Sequence, residues 1–270
     1  GFGQDGPYVG RPGFDQIAQG MGGLMSITGE PGKGPMRVGI PIADLCAGLL
    51  CSQGIMVALL EREVSGEGQW VDTSLLGSQI FMLDFQASRW LMNQDVPQQA
   101  GNNHPTSIPT GVFETSDGAI NIAVAGQAIW ERFCKAMDAD EWNENPDFNT
   151  ADNRSENRDA LGAEINKRLR TKDSATWINL FNDAGVPAGE INSIDQVFAD
   201  PQVKHIGAAT KVQSPALGEI ELVSQSINLS RTPSTITAAP PERGEHSDEV
   251  LQSIGYDTAQ IADFHARNVV

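Results

Sequence analysis

The chain has 270 residues, enough for one large domain or two small ones with a hydrophobic core. It has 18 Lys and Arg against 35 Asp and Glu, and the resulting net charge of −17 repels phosphate backbones and anionic lipids. We therefore expect no nucleic-acid partner and no membrane partner, and the most apolar stretch, 45–60, is interrupted by polar residues and glycines, which argues against a transmembrane helix.

The first part of the chain begins in glycine-rich loop chemistry and continues into helices. Residues 1–41 are dense in Gly and Pro, which predicts loops with one helix around Phe14–Met25. A long helix is then predicted from Asp44 to Glu63, and because it is apolar on all sides we expect it to be buried. A short strand is predicted at 69–75 and a second long helix at Gly77–Asn93. We assign residues 1–95 to a portion of a large domain.

The second part of the chain alternates strands and helices. Residues 96–112 are polar and rich in Pro and Gly, which predicts a linker or substrate loop, and a hairpin turning at Ser-Asp-Gly follows within 112–124. The other predicted elements are helices at Gln127–Met137, Asn157–Arg170, Ser174–Ala184, Ser193–Ala199, His246–Ile254 and Thr258–Ala266, and a second hairpin at 211–230. This mixed order predicts an α/β or α+β protein with two lobes.

Two carboxylates stand out by their position. Asp44 lies between a Pro-containing loop and an apolar helix, and Asp15 precedes the earlier helix. Helix capping is the simpler interpretation of each residue. The alternative for Asp44 is a nucleophile or base, because a helix N-terminus keeps a carboxylate ionised.

The cysteines bear on location and on metal binding. There are three, Cys46, Cys51 and Cys134, and two of them lie within the apolar helical pattern. An odd number in this setting argues against a disulfide framework and favours the cytoplasm. No CxxC motif or His/Cys cluster is present, so we expect no metal site.

Several long strings together resemble the family III CoA-transferases. They are GFGQDGPYVGRPGFDQIAQGMGGLMSITG, GIPIADLCAGLLCSQGIMVALLEREVSGEGQWVDTSLL, GNNHPTSIPTGVFETSDG, AGVPAGEINSIDQVFADPQV and APPERGEHSDEVLQSIGY. The resemblance spans essentially the whole chain. It implies the α/β fold of that family, in which a Rossmann-like large domain accompanies a smaller α+β domain and two chains form an interlocked homodimer. On this resemblance the smaller domain is 113–230, and residues 231–270 return to the large domain.

The resemblance also implies a reaction and a set of site residues. Asp44 takes the place of the family's nucleophile, which forms a mixed anhydride and then an aspartyl-CoA thioester. The substrates are an acyl-CoA and a small carboxylic acid, with coenzyme A carried as substrate and no tightly bound cofactor. Gly1, Phe2 and Gly3 match the CoA loop, and the loop Asn102, Asn103 and His104 matches a substrate loop that is a run of glycines in formyl-CoA transferase.

The same superfamily contains acyl-CoA racemases, which are the alternative function. Racemases carry a His immediately before the Asp of a G-H-D motif, whereas this chain has Gly13, Phe14 and Asp15. They also place a Glu near the start of the small-domain helix, where this chain has Gln127. Phenylalanine cannot move a proton, so both departures favour the transferase.

A third alternative is a truncated, inactive paralogue. Family members carry an N-terminal Rossmann-like half before the GFG string, and this sequence starts at that string with Gly1. We therefore expect the sequence to be the back part of a longer protein, while the intact Asp44 motif favours an active enzyme.

Overall fold

The computed structural model describes all residues from Gly1 to Val270. It divides into two compact units, Gly1–Ile191 and Asn192–Val270. The first contains nine α-helices and a three-stranded antiparallel sheet; the second contains a two-stranded antiparallel sheet and four α-helices. The predicted mixed α/β class is confirmed, although both sheets are small. The domain limits given above stay a prediction.

The helices of residues 1–95 follow the predicted order with different limits. They are α1 (Asp15–Met21), α2 (Leu24–Ile27), α3 (Ile42–Ser65), α4 (Leu75–Phe81) and α5 (Phe85–Asn93). The strand predicted at 69–75 is wrong, because no neighbouring strand pairs with that segment. The single helix predicted at Gly77–Asn93 is also wrong: it breaks before Asp84, whose φ of 50° cannot continue a right-handed helix.

The prediction that α3 is buried is wrong for this chain. Of its 24 residues, Ala43, Cys46 and Ala47 are the buried ones. Large apolar side chains such as Leu49, Leu60 and Val64 are instead exposed. By length and composition α3 is long and apolar enough to cross a membrane, so the prediction that the chain has no such helix is not supported. A single helix of this kind is weak evidence of a transmembrane span.

The principal core lies in residues 113–186. Strands β1 (Thr110–Glu114) and β2 (Ala119–Ala123) form the predicted hairpin, and β3 (Ala188–Glu190) pairs with β2. The helices around this sheet are α6 (Gln127–Ala136), a 3-10 helix (Asp140–Asn143), α7 (Ala151–Glu156), α8 (Arg158–Leu169) and α9 (Ser174–Asp183). The pattern of the strands turns Phe113, Ile120 and Ile122 toward the core, where they meet aromatic and aliphatic side chains of the helices.

The second unit contains the other predicted hairpin and the predicted closing helices. Its elements are α10 (Ile194–Ala199), α11 (Pro201–His205), β4 (Ala209–Ser214), β5 (Gly218–Val223), α12 (Ser247–Ser253) and α13 (Thr258–Ala266). Strand β4 pairs with β5 in an antiparallel register that joins Val212 to Ile220. The hairpin turns before Gly218, whose φ of 74° is a conformation that glycine adopts readily.

Candidate active site

Asp44 lies in the first turn of α3 and does not cap it. The helix begins at Ile42, and its N-cap residue is Pro41, which supplies no side-chain hydrogen bond. Asp44 is therefore the third helical residue, and its side chain is exposed. The partial positive charge of a helix N-terminus attracts anions to this turn. The exposed carboxylate of Asp44 is available to attack an electrophile.

Asp15 does not cap its own helix either. It is the first residue of α1, where it makes no capping hydrogen bond, and it is buried. Its Oδ1 accepts a hydrogen bond from the backbone N–H of Ala43 at 2.9 Å, and its Oδ2 accepts one from Gln19 Nε2 at 2.7 Å. Arg37 approaches the same Oδ2 at 3.9 Å. Asp15 thus connects α1 to the residue immediately before Asp44.

The loop Gly1–Gly3 packs against the segment that leads into α1. A Cβ added to Gly1 would lie 2.9 Å from Cα of Gly13, and a Cβ on Gly13 would lie 3.2 Å from the ring of Phe2. Both positions therefore require glycine, because the two backbones approach too closely for a side chain. The carbonyl of Gly1 also accepts a hydrogen bond from the N–H of Leu76 at 3.1 Å. The predicted CoA loop therefore packs against Gly13, which precedes Asp15 by two residues in the sequence.

An aromatic and cationic group next to this loop was not identified from the sequence. The rings of Phe2 and Tyr8 meet edge to face with centroids 5.8 Å apart. The guanidinium of Arg11 lies 3.7 Å from the centroid of the Tyr8 ring, a cation–π contact. The Tyr-x-x-Arg spacing was the available signal, but it is short and common. The group supplies one positive charge beside the loop in a strongly acidic chain.

The substrate loop has a defined geometry around His104. The His104 ring stacks on Phe85 of α5, with centroids 5.7 Å apart. Its Nδ1 accepts hydrogen bonds from the backbone N–H groups of Thr106 at 3.2 Å and Ser107 at 2.9 Å. A nitrogen that accepts two hydrogen bonds carries no proton, so the neutral ring holds its proton on Nε2. His104 can therefore donate from Nε2 to a ligand.

Asn102 and Asn103 lie where the same loop meets β1. Asn103 forms an isolated β-bridge with Gly111, and a Cβ on Gly111 would lie 2.8 Å from the Asn102 carbonyl oxygen. Asn103 also lines a cavity of about 370 Å³ between β1 and α8. The other polar residues of this cavity include Arg158 and Asn166. The cavity lining does not include Asp44.

Three hydrogen bonds join the substrate loop to the region before α3, and none of them involves Asp44. Gln99 Nε2 donates to the carbonyl oxygens of Thr28 at 2.6 Å and Gly34 at 2.7 Å, and the N–H of Gly101 donates to the carbonyl of Gly29 at 3.0 Å. No hydrogen bond among those described joins this loop to Asp44. The side-chain hydrogen bond adjacent to Asp44 in the sequence is the one from the N–H of Ala43 to Asp15 of α1.

The thiol of Cys46 does not compete with Asp44 as an ionised nucleophile near pH 7. Burial raises the pKa of the Cys46 thiol, two residues along α3, above its ordinary value of 9.0. The thiol is therefore neutral near pH 7. No group of three His, Cys, Asp or Glu side chains could hold a metal ion.

Comparisons with known proteins agree on one family. The model of a family described as CoA-transferase family III matches residues 1–247. A succinyl-CoA:glutarate CoA-transferase from Homo sapiens is 32% identical over 271 residues, covering 100% of this chain and 62% of that protein. A succinyl-CoA:mesaconate CoA-transferase from Haloarcula marismortui is 34% identical, covering 92% of this chain and 62% of that protein.

A solved structure agrees with the sequence comparisons. The crystal structure of a CAIB/BAIF family protein from Brucella suis superposes with a TM-score of 0.79 at 32% identity, covering 94% of this chain and 66% of that one. The chain thus spans slightly less than two thirds of the length of these relatives.

Proposed function

Because the chain belongs to CoA-transferase family III, we propose that its protein moves CoA from an acyl-CoA thioester to a free carboxylic acid with Asp44 as the nucleophile. The observation that carries the proposal is the position of Asp44, exposed in the first turn of α3. The loop Gly1–Gly3, which the resemblance assigns to CoA binding, is connected to that turn through Gly13 and Asp15.

The proposed reaction is covalent and balances without a cofactor. A carboxylate oxygen of Asp44 attacks the thioester carbonyl, the C–S bond breaks, and CoA thiolate leaves a mixed anhydride. The thiolate then attacks the aspartyl carbonyl, which releases the donor acid and leaves an aspartyl-CoA thioester. The acceptor carboxylate attacks the aspartyl carbonyl of that thioester, the C–S bond breaks, and CoA thiolate departs from a second mixed anhydride. The thiolate then attacks the acceptor's carbonyl in this anhydride, which forms the new acyl-CoA and releases the carboxylate of Asp44. We infer no tightly bound cofactor and no metal, since each step uses only the carboxylates and the thiol.

We propose succinyl-CoA as the donor and a short dicarboxylic acid as the acceptor. Two relatives support this choice, since one is a succinyl-CoA:glutarate CoA-transferase and the other a succinyl-CoA:mesaconate CoA-transferase. A second carboxylate on the acid needs a cation near the site. Arg37 is half-exposed and lies 3.9 Å from Asp15, and a guanidinium matches a carboxylate in geometry as well as in charge. His104, with its proton on Nε2, adds a neutral donor on the predicted substrate loop.

One residue separates this proposal from a racemase. Phe14 occupies the place that the resemblance gives to the racemases' proton-transferring His, and its side chain is 77% exposed. Its ring has no group that can exchange a proton, so an α-proton could not be moved from this position.

The proposal extends to assembly and location. We infer a homodimer, supported by the apolar side chains that α3 leaves in water, such as Val57 and Leu60. A monomer in sedimentation equilibrium would contradict this. Three free cysteines support a reducing compartment, and we propose the cytoplasm. The net charge of −17 supports the absence of nucleic-acid and anionic-membrane partners.

The test is CoA exchange by the protein expressed from its complete reading frame. It is incubated with succinyl-CoA and either glutarate or mesaconate, and the new CoA thioester is quantified by chromatography. We expect exchange by the wild type and a loss of about a thousandfold or more for Asp44→Asn, because removal of a nucleophile removes the covalent route. The matched control is Glu63→Gln, an exposed carboxylate near the far end of the same helix, which should retain full activity.

Incubation of the same protein with a 2-methylacyl-CoA and an acceptor acid in D2O distinguishes the racemase alternative. A transferase should leave the α-hydrogens of 2-methylacyl-CoA unexchanged, because its chemistry takes place at the carbonyl. Deuterium at the α-carbon without CoA exchange would contradict the proposed function.

A further inference from the structure

The N-terminus of α3 receives its cap from another helix. A helix leaves its first N–H groups without intrahelical partners, and these are usually satisfied by the side chain of the N-cap residue. Here the N-cap is Pro41, which has no side-chain acceptor. Asp15 of α1, 28 residues earlier, instead accepts the N–H of Ala43, the second helical residue, at 2.9 Å. Capping at the second or third helical N–H is the usual geometry, supplied in this chain through space.

The carboxylate of Asp15, which accepts this hydrogen bond, is itself held by Gln19 of α1. Asp15 is 8% exposed and Gln19 is fully buried. Gln19, one turn later on α1, donates to Asp15 Oδ2 at 2.7 Å and to the carbonyl oxygen of Ile40 at 3.2 Å. Its Oε1 also accepts the N–H of Val38 at 2.9 Å. Asp15 and Gln19 thus fix both the segment that leads into α3 and the first turn of that helix.

A buried carboxylate in this place is costly unless its hydrogen bonds are made, so the cluster specifies one arrangement. Asp15 Oδ1 has the Ala43 N–H, while Oδ2 has Gln19 and the nearby guanidinium of Arg37 at 3.9 Å. Displacing the first turn of α3 would leave Oδ1 buried without a donor. The arrangement therefore resists movement of the turn that carries Asp44.

We infer that Asp15 is a positioning residue for the nucleophile. Its hydrogen bond from the N–H of Ala43 holds the first turn of α3 so that the carboxylate of Asp44 is oriented to attack the thioester carbonyl. This inference rests on the proposed function. Asp15 acts through Ala43 and does not touch substrate. Displacement of a reacting group by about 1 Å costs on the order of a hundredfold in rate, so a cap of this kind affects the chemical step more than binding.

Two substitutions of Asp15 separate the hydrogen bond from the volume of the side chain. Asp15→Leu fills similar space but accepts no hydrogen bond. Asp15→Asn keeps an oxygen that can accept from Ala43, while its NH2 group faces the donor of Gln19. We expect Asp15→Leu to lower kcat about a hundredfold, because the first turn of α3 moves, while the KM values for succinyl-CoA and the acid, which the neighbouring Arg37 can affect, change much less. Asp15→Asn should recover part of that loss.

The control is a destabilised variant that leaves this hydrogen bond intact. Gln79 of α4 is fully buried, has no hydrogen-bond partner, and lies against Gly22 at the opposite end of α1. Gln79→Ala opens a cavity there and should lower the melting temperature without changing kcat. A loss of kcat in Gln79→Ala equal to that in Asp15→Leu would show a structural effect only and overturn the inference.

Two further results would also overturn it. One is an unchanged kcat in Asp15→Leu, and the other is a raised KM as its sole effect. If Asp15→Leu does not fold, Asp15→Ala, which removes the acceptor without filling the site, takes its place. A lowered kcat that Asp15→Asn partly restores supports the inference, whereas a wild-type kcat in Asp15→Ala or a change confined to KM overturns it. Failure of the proposed function is distinguished by the parent enzyme: a wild type that does not exchange CoA refutes that proposal before Asp15 is changed.

Discussion

At the scale of single residues, the proposed chemistry depends on two carboxylates near one helix N-terminus. Asp44 lies inside the first turn of α3, and Asp15 caps that helix from α1. Capping propensity describes neighbours in sequence, whereas the Asp15–Ala43 bond joins residues 28 apart. The role of Asp44 as nucleophile came from the family resemblance and stays a proposal, as do the roles of Gly1, Phe2, Gly3, Asn102, Asn103 and His104.

Cys134 gives a prediction at this scale. It is completely buried on α6, and burial raises the pKa of its thiol to about 12, while the nearby Arg154 lowers it by a smaller amount. The native state therefore favours the neutral thiol. Its contribution to the free energy of unfolding is complete below the ordinary pKa of 9.0 and is lost as the pH rises from there toward about 12.

Alkylation by iodoacetamide near pH 8 measures the consequence. We expect Cys51, which is partly exposed, to react in the native protein and Cys134 to react only after urea unfolding. Modification of Cys134 at the rate of Cys51 in the native state would contradict its burial.

At the scale of elements, the sequence pattern predicted correctly those elements that are stabilised by hydrogen bonds between residues close in the sequence. The hairpin of β1 and β2 turns at Ser116, Asp117 and Gly118 as predicted, because Thr115 and Gly118 close it by a backbone hydrogen bond of 2.9 Å. Pattern failed for 69–75, where β-branched residues have no partner strand. It also missed the break at Asp84, since a single positive φ has no strong signature outside glycine.

The packing of α9 against α6 gives a matched pair of substitutions. Phe181 is completely buried and stacks on Phe133 and Trp177, with centroids 5.4 Å and 5.5 Å away, whereas its neighbour Leu180 is 40% exposed. We expect Phe181→Ala to lower the free energy of unfolding by about 3–5 kcal/mol because it leaves a cavity among aromatic rings. Leu180→Ala should cost less than about 1 kcal/mol.

Urea titration followed by tryptophan fluorescence measures both substitutions. Equal shifts of the transition midpoint for Phe181→Ala and Leu180→Ala would contradict the described core.

At the scale of the whole molecule, the family and its fold could be predicted because they depend on several long motifs in a fixed order. The match over residues 1–247 and the TM-score of 0.79 confirm that prediction. The exposure of α3 in this chain could not be predicted. The apolar pattern of a helix predicts burial but does not identify the surface against which the helix packs. The chain spans 62% of the length of the human relative.

The central claim is that the carboxylate of Asp44 carries the acyl group and then CoA. The most direct measurement is mass spectrometry of the peptide containing Asp44, after the protein from its complete reading frame is mixed with succinyl-CoA and quenched with hydroxylamine. Hydroxylamine converts an activated aspartyl group to a hydroxamate and leaves a free carboxylate unchanged. We expect a hydroxamate on Asp44 that appears only with the acyl-CoA. An unmodified Asp44 in protein that exchanges CoA, or a hydroxamate on a different residue, would contradict the account.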